Sequence, residues 1–216
     1  MKKYMFGLFF VLLVGWCSSK PGNINNKAEL TTSESCLLND TYYETQGIAM
    51  EDRFSFDVKG KYVTINGVID QSSACHLGFL IDENPKIKTL IVGKVLWSVD
   101  GKASINLGKF LRKSSIKTVI SAWGSLEGQS FYLFLGWVER RVENDEEFRF
   151  EVQWRKQEDL KSYELPLGDQ AHLPYVEYVA NMLGETRFYW FLVEKAGESS
   201  YDVSLEELKE YRIVSS

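Results

Sequence analysis

Between Val119 and Gly136 the chain passes from a β-rich apolar run, through a polar stretch, into Phe131-Tyr-Leu-Phe-Leu135, which is too apolar to face water on any side. The pattern predicts a strand, a turn over Trp123 to Gln129, and a buried helix whose apolar stripe extends to Val138. A helix apolar all round must lie beneath other elements, so this junction organises what surrounds it. In α/β enzymes, turn amides and a helix N-terminus at such a junction stabilise negative charge, which makes it a natural seat for chemistry.

The flanking sequence supplies the partners for that helix. Phe54, Phe56 and Val58 alternate with polar residues, Lys59-Gly60-Lys61 makes a turn, and Val63, Ile65 and Ile69 resume the alternation, predicting a hairpin. Residues 71–82 carry Ala74, Leu77, Gly78 and Ile81 at helical spacing. Ile87 to Val92 reads as a strand, and the strand–helix–strand succession predicts a parallel pair. Trp97 to Gly101 is a turn into a helix bearing Ala103, Leu107, Phe110 and Leu111, and Lys117 to Ala122 is the next strand. Phe148, Phe150, Val152 and Trp154 alternate with Arg149, Glu151 and Gln153, a strand with one apolar face. A polar loop over residues 155–170 precedes a helix from Pro174 to Leu183, an aromatic stretch from Arg187 to Ala196 that reads as a helix although Phe188 to Phe191 would equally suit a strand, and a capping box at Ser204-Leu-Glu-Glu207.

With 216 residues, 44% of them hydrophobic, one sizeable core is expected and a second full domain would be cramped. A formal net charge of −5 and dispersed basic residues argue against nucleic acid as a partner. The two histidines and three cysteines show no metal-binding spacing, and the acidic run Glu143-Asn-Asp-Glu-Glu147 lacks the pattern of a calcium loop, so no metal or cofactor is expected.

The first residues read as an address. Lys2-Lys3 precedes an uncharged, largely apolar run from Tyr4 to Trp16, shorter than the about 20 residues a membrane span needs, which is the form of an export signal over residues 1–16. Val14-Gly15-Trp16-Cys17 resembles a bacterial lipoprotein signal, implying lipidation of Cys17 and a membrane anchor in the cell envelope, periplasm or outer membrane; Trp16 departs from that motif. Ordinary cleavage after Ser19 is the alternative. Residues 17–50 are polar and aperiodic and read as a tether with a loosely docked arm, leaving 51–216 as the domain. Without Cys17 one pair remains, Cys36 and Cys75, either a disulfide suited to an oxidising compartment or two unrelated thiols.

The order of elements, together with Thr64 to Ile69, Ile87 to Ile91, Ser98-Val-Asp-Gly101, Phe134-Leu-Gly136, and Phe188-Tyr-Trp-Phe191 followed by Ser204 to Tyr211, resembles the ClpP/crotonase superfamily over about residues 54–214. It is more closely similar to a group of exported, ClpP-like bacterial proteins. The resemblance implies an α/β spiral of repeated β-β-α units, with self-association into rings or trimers. It also implies an oxyanion-type turn at Ser98, Val99 and Gly101, a serine nucleophile opening the central helix, and a histidine base on the following strand. The nucleophile position falls on Glu127 or Gly128 and the base position on Val152, and valine cannot accept a proton.

These departures imply a scaffold without its relay, acting as a binding or assembly module for a protein or peptide, through the cleft or through the aromatic surface at Phe188 to Phe191. Ser125 and Ser130 flank the nucleophile position and, with His172 as base, make up the competing hydrolase reading. A third reading centres acyl-transfer chemistry on the Glu127 carboxylate. The plainer expectations are that Ser125 and Ser130 serve the turn, that Glu127 answers the helix dipole, and that His172 and His76 lie at the surface.

Overall fold

A computed structural model describes residues 38–140, 149–152, 164–195 and 201–214 together with Cys36. The order is α1 (Asp40–Gln46), β1 (Ser55–Lys59), β2 (Tyr62–Ile69), α2 (Ser73–Glu83), β3 (Thr89–Ser98), α3 (Gly101–Ser114), β4 (Lys117–Glu127), α4 (Phe131–Leu135), β5 (Arg149–Val152), α5 (Leu173–Leu183), α6 (Arg187–Lys195), β6 (Tyr201–Asp202) and α7 (Leu205–Glu210). It is an α/β fold. Its strands form one mixed sheet in sequence order, antiparallel at each margin and parallel from β2 to β5. The expected hairpin, the parallel β2–β3 pair and the helices at α2, α3, α5, α6 and α7 are all present.

The central junction differs from its expectation. Pairing between β3 and β4 jumps from Val92 opposite Ile120 to Lys94 opposite Ser125, so residues 121–124 leave the sheet as a bulge with Trp123 62% exposed. The strand then resumes, because Leu126 is fully buried and residues 125–127 pair with β5. Side chains satisfy the broken ladder: Asn66 Oδ1 accepts from the Lys94 amide at 3.0 Å, and the Ser121 hydroxyl donates to the Val92 carbonyl at 3.1 Å. What reads as one polar turn is therefore a bulge, three paired residues, and a tight turn over Gly128–Ser130. β3 likewise runs on to Ser98, past the start of its expected turn.

α4 is buried on all sides as expected, but it has only 5 residues, and Val138 beyond it is 57% exposed rather than part of the stripe. The helix crosses α3 backbone to backbone. A Cβ on Gly136 would fall 2.5 Å from the carbonyl carbon and Cα of Gly108, so neither crossing point admits a side chain. Around this crossing pack Leu107, Leu111, Phe131, Tyr132 and Tyr178, whose hydroxyl donates to the Tyr132 carbonyl at 2.7 Å. Phe188 and Tyr189 are also fully buried, and Phe188 meets Phe131 edge-on, so of the aromatic run of α6 only the half-buried Trp190 and Phe191 reach the surface.

Of the stretch expected to be a tether, residues 38–50 include α1, capped by Asn39 at its start and by Gly47 at φ +66°. Tyr43 and Ile48 pack on Val68, with Leu96, Trp97 and Val99 around them. Cys36, within the same stretch, is disulfide-bonded to Cys75 of α2, with Cα atoms 5.7 Å apart. Residues 1–35, the acidic run from 143 to 147, Phe148 and Trp154 lie outside the described residues.

Candidate functional site

The parallel strands end side by side, and ligands of open α/β sheets bind outside such carboxyl ends. Here the ends of β2, β3 and β4 carry Asp70, Asp100 and Glu127, and the two aspartates have local work. Asp70, after β2, is buried. Its Oδ1 accepts from the Ser72 amide at 2.8 Å and from the Ser72 and Ser73 hydroxyls at 2.6 and 3.1 Å, while its Oδ2 accepts from the Tyr43 hydroxyl at 3.3 Å. Asp100, after β3, caps α3 by accepting from the Ala103 amide at 2.7 Å. Burial, followed by the charges of Asp70 and Asp100, holds the Tyr42 phenol up at about 12. Glu127 closes β4 and is half-buried.

The oxyanion-type turn is occupied by its own structure. The Val99 amide donates to the Ile69 carbonyl at 2.9 Å, extending the β2–β3 ladder, so it cannot also serve an oxyanion. The Ser98 hydroxyl, buried, lies 2.7 Å from the Asp100 carbonyl and 3.3 Å from that of Ile69. Gly101 opens α3 beneath two side chains from remote elements. A Cβ there would overlap the Tyr175 ring and the Gln129 amide oxygen, with the Tyr175 hydroxyl 3.0 Å away.

The serines and the histidine are not brought together. Ser130 is fully buried, and its hydroxyl donates to the Glu127 carbonyl at 2.7 Å, which closes the tight turn before α4. The Ser125 hydroxyl is buried and finds no hydrogen-bond partner among the described residues. His172 departs from its expected surface position and is only 2% exposed. The Asp169 side chain accepts from the Ala171 amide at 2.8 Å, and this tight turn folds the ring inward. There Nε2 lies 3.1 Å from the Pro166 carbonyl and Nδ1 lies 2.7 Å from the Tyr189 hydroxyl. A carbonyl only accepts, so Nε2 donates to Pro166, and Nδ1 is held by the Tyr189 hydroxyl. Both ring nitrogens are committed, and neither meets a serine.

A layer that the sequence did not announce spans these parts. Tyr175 lies between Tyr132, with ring centres 5.3 Å apart, and Tyr189, stacked at 6.3 Å, while Trp190 flanks His172 at 5.1 Å. Burial, then the neighbouring Tyr175, raises the Tyr189 phenol well above its ordinary value. Such phenols are hydrogen-bond donors and packing surfaces rather than bases at neutral pH. Asp70 was readable as a helix-opening Asp-x-Ser-Ser motif; the approach of Tyr175 to Gly101 was not, because no local pattern encodes it. Val152 stands in β5 opposite Tyr201. Among the described residues no group of three His, Cys, Asp or Glu could hold a metal ion.

No protein-family model matches the chain, and no curated protein does. Solved structures do. The likeness is to crotonase and ClpP folds. An enoyl-CoA hydratase/isomerase of Acinetobacter baumannii aligns at 13% identity over 75% of each chain with a TM-score of 0.44. An enoyl-CoA hydratase of Streptomyces avermitilis aligns at 11% over 74% of this chain and 65% of that one, TM-score 0.48. ClpP1 of Listeria monocytogenes aligns at 15% over 72% and 89%, TM-score 0.45. At these identities the likeness concerns fold and carries no chemistry with it.

Proposed function

We propose that this chain is an exported, lipid-anchored bacterial envelope protein whose crotonase- or ClpP-like domain has no working serine relay and acts by binding or assembling with other proteins, copies of itself included. One observation carries the reading. The start of α3, where an oxyanion would be held, is covered so closely by Tyr175 and Gln129 that Gly101 has no room for a methyl group. The commitment of Val99, Ser130 and His172 to internal hydrogen bonds supports it. Export is supported by the uncharged run after Lys2-Lys3, the Cys17 that follows it, and a disulfide of the kind that oxidising compartments permit.

The unpartnered Ser125 hydroxyl favours a second reading, in which that serine retains reactivity. A fluorophosphonate probe separates the two. Folded protein should stay unlabelled under conditions that saturate a control serine hydrolase; stoichiometric labelling at Ser125 or Ser130, mapped by peptide mass, would sink the non-catalytic reading.

A further inference from the structure

The sheet ends at β1, and among the described residues no strand pairs with its outer side. Its residues are exposed apart from the half-buried Phe56, so the outer amides and carbonyls of Ser55–Lys59 are a template for an added strand. The usual safeguards are thin here. β1 contains no proline, its register with β2 is unbroken across five pairs, and its two charges, Asp57 and Lys59, neutralise each other at 2.9 Å.

Against this edge lies a cavity of about 240 Å³ between β1 and α2, lined by Phe56, His76, Phe79, Leu80 and Glu83. Phe56 stands opposite Ile65 but has no further strand outside it, so it stays half-buried and forms the wall nearest the edge. The volume is below the roughly 300 Å³ at which pockets begin to hold drug-sized ligands, and suits one long side chain.

The chemistry of the lining narrows the occupant. His76 Nδ1 is turned toward the Ser72 hydroxyl at 3.3 Å, leaving Glu83 as the anionic group of the wall. The last turn of α2 carries Asp82 and Glu83 and no basic residue, so its negative end is uncompensated within the helix. Lys86 and Lys88 come after the Asn84 cap and do not line the cavity. Phenyl faces leading to a carboxylate match an aliphatic stem that ends in a cation.

We propose that the β1 edge and this cavity form a peptide-docking surface. An extended segment of a partner protein adds to β1 as a strand and places a Lys or Arg side chain between Phe56 and Phe79, with its charged head at Glu83. The surface stands apart from the α3–α4 junction, so it holds whichever way the probe experiment falls.

The test is fluorescence polarisation of the full chain with a labelled, end-blocked heptapeptide of alternating Thr and Val around a central Arg. Saturable binding is expected, weakened about tenfold when Glu replaces the Arg or when the protein carries Glu83→Gln, an exposed change that leaves the core intact. A peptide N-methylated at alternate amides should lose binding. Equal binding of the Arg and Glu peptides, indifference to Glu83→Gln, or no saturable binding overturns the proposal. Concentration-dependent self-association that the peptide does not compete away also overturns it, by giving the edge to a second copy.

Discussion

Gly101 shows how one hydrogen in place of a methyl group can decide what a site does. The Tyr175 ring and the Gln129 amide crowd its Cα, so Gly101→Ala must displace one of them or shift the start of α3. Overpacking of this kind costs about 1–3 kcal/mol, which urea denaturation would read directly. Tyr175→Ala vacates the contested space. The double variant should therefore be more stable than the sum of the two single losses requires, and simple additivity would show that the two residues do not compete. None of this was legible in the sequence, where the turn from Ser98 to Gly101 reads as an open cradle and Tyr175 as one member of a later helix. His172 misled for a related reason. A polar stretch ending in Pro174 predicts a surface, yet the Tyr189 hydroxyl and the Pro166 carbonyl give a buried imidazole both partners it needs.

Elements were readable where their signals are local. In α7 the Ser204 hydroxyl accepts from the Glu207 amide at 3.2 Å, and the Glu207 carboxylate answers the Ser204 amide at 2.9 Å, all within one turn. Burial alone would raise the Glu207 pKa, but hydrogen bonds from Tyr201 and from the amide and hydroxyl of Ser204 outweigh it and hold the carboxyl below its ordinary value. A folded pKa below the unfolded one contributes stability that is complete above the ordinary glutamate range and is lost as pH falls through the folded value. Glu207→Gln should therefore flatten part of the loss of stability on acidification, measured as the urea midpoint at successive pH values; an unchanged pH profile would remove Glu207 from the account. α4 and β4 were harder to place, since their limits are set by the Gly108–Gly136 crossing and by pairing to β5. The helix ends are also closed from afar. Arg112 donates to the carbonyls of Leu135 and Met182, and Arg140 donates to that of Trp137, so the C-termini of α4 and α5 receive cations from α3 and from the chain beyond α4. Burial, and then the charge of Arg112, depresses the Arg140 pKa.

For the whole molecule, the Cys36–Cys75 bond ties the arm bearing α1 to α2 across a sequence separation of 39. In the chain-entropy model a loop of about 40 residues is worth roughly 3–4 kcal/mol. Intact-mass analysis of protein isolated from bacterial membranes should show an acyl increment that disappears in Cys17→Ser, with no alkylation of Cys36 or Cys75 until a reductant is added. Reduction should then lower the thermal midpoint. A mature chain without the acyl mass would remove the anchor, and free thiols before reduction would remove the bridge. The order of the sheet has a further consequence. Because β1 to β6 lie side by side in the order in which they occur along the chain, no strand must wait for a distant successor before it can pair. Each parallel pairing nonetheless closes over a whole crossover, Tyr62 opposite Thr89 and Thr89 opposite Lys117, so the sheet forms more slowly than a set of hairpins would. A polypeptide emerging N-terminus first can add each strand to a finished neighbour, so the sheet grows along a single advancing margin.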